Sequence, residues 1–427
     1  MDLGALIGMG QTMASDNEVV LRPVVEFDHH SAEFAADFAG ISNELRERCP
    51  VGFTEAHGGY WVASSYEAVT TASKDTETFT VWKDLPLGSG RLGPIIPDHN
   101  PVRQGFAEMD GPEHWARRKP LVPFLSRAAT EALRPEILSI ITWVIDQFID
   151  RGSVDIATEL AGPIPAIATM RQLGLPLTDW RVFWDSHHEM FKLEPDPKAL
   201  SEMQTWLEEH LRGEALRRRE QPRDDLISHV ARMEIDGSLL AMDDVIGTLE
   251  MLLFGGVGTT AMLIANTLKY LGENPMDREW LREDLSRLPD ACEEFLRCFP
   301  PIIGLARTVT RSCVLDGQAL EKDDRVYLNW AAANRDPRTF EEPDTVKMDR
   351  FPNRHTTFAL GAHRCIGSHV ARLVWITAME QVLTRLPDYQ IDTKNCHRYE
   401  SVGLFNGWQS IPATFSPGSI LGTELPG

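Results

Sequence analysis

Phe358-Ala359-Leu360-Gly361-Ala362-His363-Arg364-Cys365-Ile366-Gly367 is the stretch that decides the fold, and a helical pattern begins directly after it. A cysteine at a helix start feels the positive end of the helix dipole and unpaired backbone N–H groups, and both favour thiolate over thiol. His363 and Arg364 add positive charge just before it. The glycines let backbone approach something flat and bulky, and leave amides free to donate to sulfur. A thiolate held in this way suits a haem iron whose task is O–O cleavage rather than oxygen storage.

The run resembles the haem-binding loop of the cytochrome P450 family. That loop has a Phe seven residues before the ligand, a Gly four before, a basic residue two before and a Gly two after. Phe358, Gly361, His363, Cys365 and Gly367 match it. One position departs: the family has Gly directly after the Phe, and this chain has Ala359. The resemblance implies that Cys365 is the axial ligand of a haem b iron, with Phe358, Gly361 and Gly367 against the cofactor.

Composition narrows the rest. The 427 residues carry a net charge of −21, from 42 basic and 63 acidic side chains. Such a chain repels nucleic-acid phosphates instead of neutralising them. Six cysteines without C-x-x-C spacing argue against a zinc site or a disulfide framework, and for a reducing cytoplasm. Met1 to Asp16 has no basic segment and no long apolar run, so neither a signal peptide nor a membrane anchor is expected. Residues 1–25 read as a flexible tail, and 26–420 as one catalytic domain. Length alone would suggest two or three domains. The family instead folds such a chain as one mainly α unit, a large helical domain with small β-sheets around a buried haem.

Along the chain, Gly58 to Ala63 reads as turn then strand, followed by a helix from Tyr66. Residues 83–105 hold Pro86, Gly88, Gly90, Gly93, Pro94, Pro97 and Pro101, which makes a long irregular loop. The resemblance puts that loop over the substrate. A long apolar helix is expected from Met242 to Tyr270, with further helices near 276–287 and 288–298. Strands follow around Thr308–Thr310 and Asp324–Leu328, and a hairpin or loop from Leu404 to Phe415.

The long helix contains Gly255-Gly256-Val257-Gly258-Thr259-Thr260. Each interior glycine costs roughly 1 kcal/mol relative to alanine. The cost makes sense where backbone must lie close to a flat ligand and leave a groove for a small molecule. The family has a Gly-Gly-x-acid-Thr pattern here, on the oxygen-binding face. By resemblance Gly255, Gly258 and Thr259 belong to the oxygen site, Thr259 as a proton relay, with Gly256 against the cofactor. The family's acid falls on Gly258, so no carboxylate is available there.

Glu294 and Arg297 share a helix face at i, i+3. Alone this is a surface ion pair of little worth. In the family, together with Arg350, it forms a buried network that holds the ligand loop. Asn334-Arg335-Asp336-Pro337 also resembles a family run. Haem propionates need cations in a half-buried place, and the family matches are His114, Arg118, Arg307 and His355. Met251, Phe254, Ile302, Ile303, Leu305, Leu404 and Phe405 fall at the family's pocket walls. All are apolar, which implies an apolar substrate. Arg117, Lys119, Arg364 and Arg372 are candidate contacts for an acidic electron donor.

The resemblance spans about Pro50 to Pro412. It implies a monomeric haem-thiolate monooxygenase that hydroxylates or epoxidises an apolar small molecule with O2. Electrons come from a ferredoxin and its NAD(P)H-dependent reductase, since no G-x-G-x-x-G follows a strand in this chain. Two alternatives stand beside it: a peroxide-driven peroxygenase or isomerase on the same haem-thiolate, and a non-enzymatic haem sensor.

Overall fold

The computed structural model describes residues 7–13, 19–98, 103–190, 196–403 and 405–426. Seven strands form the main sheet: β1 (Ile7–Met13), β2 (Val19–Val25), β3 (Val51–Thr54), β4 (Tyr60–Ala63), β5 (Phe79–Thr80), β6 (Gly304–Val309) and β7 (Arg325–Asn329). Their spatial order is β1-β2-β3-β4-β7-β6-β5. The antiparallel β6–β7 pair sets Arg307 opposite Val326. The first 25 residues, expected as a loose tail, contribute β1 and β2 as an antiparallel pair, and Val24 continues the sheet by pairing with Phe53. Of the expected hairpin or loop at 404–415, the two strands do not pair with each other: Trp408–Ser410 pairs with His397–Arg398, whereas Pro412–Thr414 pairs with Gln390–Ile391 and Ser153–Asp155.

Helices form the rest of the core. The ones that matter for the site are α1 (Gly111–Arg118), α2 (Pro163–Leu173), α3 (Pro197–Glu220), α4 (Met242–Glu273), α5 (Leu288–Cys298) and α6 (Ser368–Arg385). Asp243 and Asp244 complement the dipole in the first turn of α4. The helix runs until Asn274-Pro275, where proline opens the next one. Helix α4 is long and apolar enough to cross a membrane, but 67% of its apolar window is buried inside the protein. Val245, Leu249, Leu253, Val257, Ile264, Leu268 and Leu271 pack into the largest hydrophobic core. A helix that is apolar all round is a core helix when other elements cover it.

The loop from residue 83 to 105 is irregular, as its prolines and glycines dictate, yet its described part is tied down. Fully buried Lys83 meets Asp98 at 2.9 Å and Glu108 at 3.7 Å. Arg103 donates to the Lys83 carbonyl, and Arg325 donates to the carbonyls of Gly93 and Ile95. At Gly105, φ is +49° and a Cβ would come within 3.0 Å of the Gly247 carbonyl. Glycine at that position lets the end of the loop lie directly on α4.

Candidate active site

Cys365 sits between two glycine-shaped features. At Gly361 φ is +70°, and a Cβ there would meet the Ser73 carbonyl at 3.0 Å and Lys74 Cα at 3.1 Å. Gly361 therefore seats the loop on the Tyr66–Lys74 helix. A Cβ built on Gly367 meets nothing within 4 Å. Ala359 holds φ at +53°, the left-handed region where the family's glycine is free of strain. The loop closes through the Cys365 amide, which donates to the Phe358 carbonyl at 2.8 Å. Half-buried Phe358 lies below the Arg372 guanidinium, 4.5 Å from its ring centre.

The Cys365 sulfur is free, with accessible surface. Protein nevertheless surrounds it, and burial pushes its thiol up; the Gly367 amide, Arg118, Arg372 and Arg364 pull it down without winning. Its accessible surface is thus the wall of an interior hollow. The thiolate preference expected from the helix start is outweighed by desolvation. A cation bound at the sulfur supplies the compensation, because a coordinating thiol gives up its proton outright.

Beside the sulfur lies a basic cluster. The His114 and His363 rings are 4.5 Å apart. His363 Nε2 stands 2.7 Å from Asp110, which also accepts from Thr80 and the Val81 amide. Arg307 and Arg118 both act on His363, and Arg118 on His114. Burial, then His363 and Arg118, bring His114 down to about 4. Burial lowers the Arg307 guanidinium to about 10. His114 Nε2 and Arg307 Nε are buried with no partner among the described residues. Arg118 rests its guanidinium on the Arg364 carbonyl. Orphaned donors around one carboxylate, charged Arg307 and neutral His114, next to a free sulfur, fit a flat group that carries a soft metal and pendant carboxylates.

His355 does not join this cluster. Its Nε2 is 3.1 Å from Glu293, and its Nδ1 accepts from the Thr357 amide at 3.2 Å. Glu293 also takes two bonds from Arg372, at 2.5 and 2.7 Å. Burial alone would raise this carboxyl; Arg372 and His355 bring it down to about 2. His355 thus braces the ligand loop, and His363 takes the place expected for it. Its position two residues before Cys365 was the available signal.

On α4, Gly255 is exposed between fully buried Leu253 and Val257, and a Cβ on it meets nothing within 4 Å. Thr259 donates to the Gly255 carbonyl at 2.8 Å. Gly258 is buried. Gly256, expected against the cofactor, turns to α2 instead: a Cβ there would lie 2.5 Å from Thr169 Oγ1. Its small size serves helix packing. Met251, Phe254, Ile302, Leu305 and Phe405 are half-buried with apolar surface to spare. Ile303 is fully buried among Phe27, Tyr60 and Tyr327, so it is core and not pocket wall. Leu404 lies outside the described residues.

The brace behind the loop is complete. Arg297 donates to both oxygens of Glu294 at 2.8 Å, and both side chains are fully buried. Arg350 adds contacts of 3.0 and 3.1 Å. Arg297 also donates to the Asn334 carbonyl, and the Asn334 amide bonds Thr356 and Thr357 just ahead of Phe358. The acid–arginine pair is linked in this way to the cysteine loop.

Comparisons with known proteins agree with this geometry. The cytochrome P450 family model matches residues 166–387. The chain is 30% identical over 370 residues to the cyclomarin C epoxidase CymV of Salinispora arenicola (strain CNS-205), covering 84% of this chain and 92% of that one. It is 29% identical over 377 residues to the steroid C26-monooxygenase of Mycobacterium tuberculosis (strain ATCC 25618 / H37Rv), covering 85% and 90%. Among solved structures, a mutant of P450 EryK in complex with erythromycin B superposes with a TM-score of 0.81 at 25% identity, over 92% of this chain and all of the other. The hydroxylase HmtN superposes with a TM-score of 0.79 at 28% identity, over 90% and 96%. The chain belongs to the cytochrome P450 family, a haem b monooxygenase of the bacterial type.

Proposed function

We propose that Cys365 is the axial thiolate ligand and that the enzyme hydroxylates or epoxidises an apolar small molecule, with electrons delivered by a ferredoxin and its NAD(P)H-dependent reductase. The observation that carries this is the free Cys365 sulfur with the Gly367 amide on it, beside orphaned His114 and Arg307. Haem, when bound, supplies dioxygen activation at an iron made electron-rich by its thiolate.

The chain's own residues do the rest. Arg118 and Arg307 neutralise the propionates, and His114 and His363 orient them. Met251, Phe254, Ile302, Leu305 and Phe405 exclude water and hold apolar surface of the substrate. The relatives' names, an epoxidase and a steroid monooxygenase, support a sizeable apolar molecule. Thr259 holds its proton on the Gly255 carbonyl and can turn it toward the pocket; solvent then reprotonates it, because Gly258 offers no carboxylate. For the electron donor, Arg117 and Arg372 are tied to Asp244 and Glu293. Lys119 and Arg364 are exposed, and of the four candidates they are the charges left to meet an acidic protein in the cytoplasm.

A ferrous–CO spectrum with the thiolate-type Soret band, lost in Cys365→Ser, tests the ligand. A panel of steroids, terpenoids, fatty acids and polyketides, screened by Soret shift, tests the substrate class. Absence of the thiolate band in the folded protein overturns the assignment. Gly258 favours one second reading, peroxide-driven turnover. Product formed with peroxide alone, and none with NAD(P)H, reductase and ferredoxin, would establish it.

A further inference from the structure

Outside the haem site, Asp28, His29 and His57 come together where the segment after β2 meets the turn between β3 and β4. One potential ligand atom from each lies within 4.8 Å of the other two. His29 is buried, Asp28 half-buried and His57 exposed, so the cluster opens to solvent on one side. His57 holds φ at +50° and is followed by Gly58 and Gly59 at +88° and +94°. This turn presents the imidazole to Asp28, with Nε2 at 2.9 Å from Oδ1.

The hydrogen bonds specify the ligand atoms. His29 Nε2 donates to the Ile96 carbonyl at 2.8 Å, which leaves the Nδ1 lone pair inward, accepting from the Tyr60 hydroxyl at 2.7 Å. A carbonyl on the far ring nitrogen is how metal-bound imidazoles are oriented. His30 lies outside the group of three; its nitrogens bond Ser401 and the same Ile96 carbonyl, each at 2.9 Å. Two ligands of one tetrahedral zinc ion, each about 2.0–2.1 Å from it, sit about 3.3 Å apart. The 2.9 Å between His57 and Asp28 is close to that separation. Two imidazoles and one carboxylate suit zinc and its neighbours, not calcium or magnesium.

We propose that Asp28, His29 and His57 form a binding site for one divalent transition-metal ion of the zinc type, with water in the open position. The ion takes the place of the proton between His57 Nε2 and Asp28, which moves to His57 Nδ1 or to solvent. At His29 it exchanges with the Tyr60 hydroxyl, which turns to the metal-bound water. Ile96 belongs to the loop at 83–105, so the ion stiffens the junction between that loop and the N-terminal strands.

The test is zinc content per chain. Haem-loaded protein is stripped with chelator and equilibrated with zinc chloride, with iron as the internal count. We expect one zinc per chain, half-saturated at about 10 µM or below, with calcium unable to compete. Asp28→Ala and His57→Ala should each weaken it by at least about tenfold, whereas His397→Ala, at an exposed histidine elsewhere, should not. Should Asp28→Ala lose its haem, His57→Gln decides, since it keeps a polar side chain of similar size at the solvent edge of the cluster. No zinc bound at about 100 µM, or equal retention by the Asp28 and His57 variants, overturns the site.

Discussion

Thr259 donates its hydroxyl to the Gly255 carbonyl one helical turn back, at 2.8 Å. The bond satisfies a carbonyl on α4 and parks a proton at the edge of the interior hollow. The same hydroxyl can rotate toward a pocket water. Thr259→Ala removes it and leaves apolar volume nearly unchanged. Product per NAD(P)H should fall by about tenfold and hydrogen peroxide release should rise. That is below the ~100-fold typical of positioned proton transfer, because water can replace the hydroxyl. Unchanged coupling would remove Thr259 from the relay.

Ala359 at φ +53° sets two terms against each other. The left-handed region costs a non-glycine residue about 1–2 kcal/mol. The methyl is buried, and burying one such group contributes about 0.8 kcal/mol. Ala359→Gly should therefore raise stability slightly, by about 0.5 kcal/mol. Ala359→Val adds a β-branched side chain to a strained backbone and a packed site, and should cost about 2 kcal/mol or more. Urea midpoints of the haem-loaded variants measure both; a stabilising valine would refute the strain argument.

How legible each residue was depended on how local its signal is. Cys365 and the Glu294–Arg297 pair were readable because each lies in a short run that resembles a motif of the family; spacing alone read the pair as a surface ion pair. Which glycine of α4 faces the hollow was not, because each residue turns the helix by about 100°, and the rotation is set by packing on Thr169. His355 was read as a propionate partner and His363 only as the basic residue of the cysteine loop. The positive φ values at Ala359 and Gly361 turn the loop so that His363, and not His355, reaches His114. Strands β1 and β2 were missed because their link to the sheet, Val24 to Phe53, is not local.

Glu294 carries a charge that Arg297 and Arg350 both answer, at full burial. Glu294→Ala leaves Arg297 buried and uncompensated. The expected loss is about 3–5 kcal/mol, with poor haem retention. Arg297→Lys keeps the charge but gives up the planar fork that reaches Asn334, Pro343 and Thr345, and should be nearly as damaging. Haem content after expression and the urea midpoint report both. A lysine variant as stable as the parent would show that charge alone suffices.

Glu250 is a buried carboxyl on α4 whose Oε1 accepts from Gln204 of α3 at 3.0 Å. Burial pushes it up to about 7; the Gln204 bond lowers it and Glu208 raises it further. Below the ordinary carboxylate range, near 4.5, both folded and unfolded chains hold the proton and no penalty applies. Between 4.5 and about 7 the folded protein binds more protons than the unfolded one, so stability falls as pH rises. Above 7 the buried charge has cost its full amount, of order 3 kcal/mol. Glu250→Gln stays neutral and keeps an oxygen for Gln204. Its advantage over the parent should be absent at pH 4, grow through that window and level off by pH 8. Denaturation midpoints taken across this range decide it: parallel curves for the two proteins would mean that the Glu250 carboxyl titrates alike in the folded and unfolded chains.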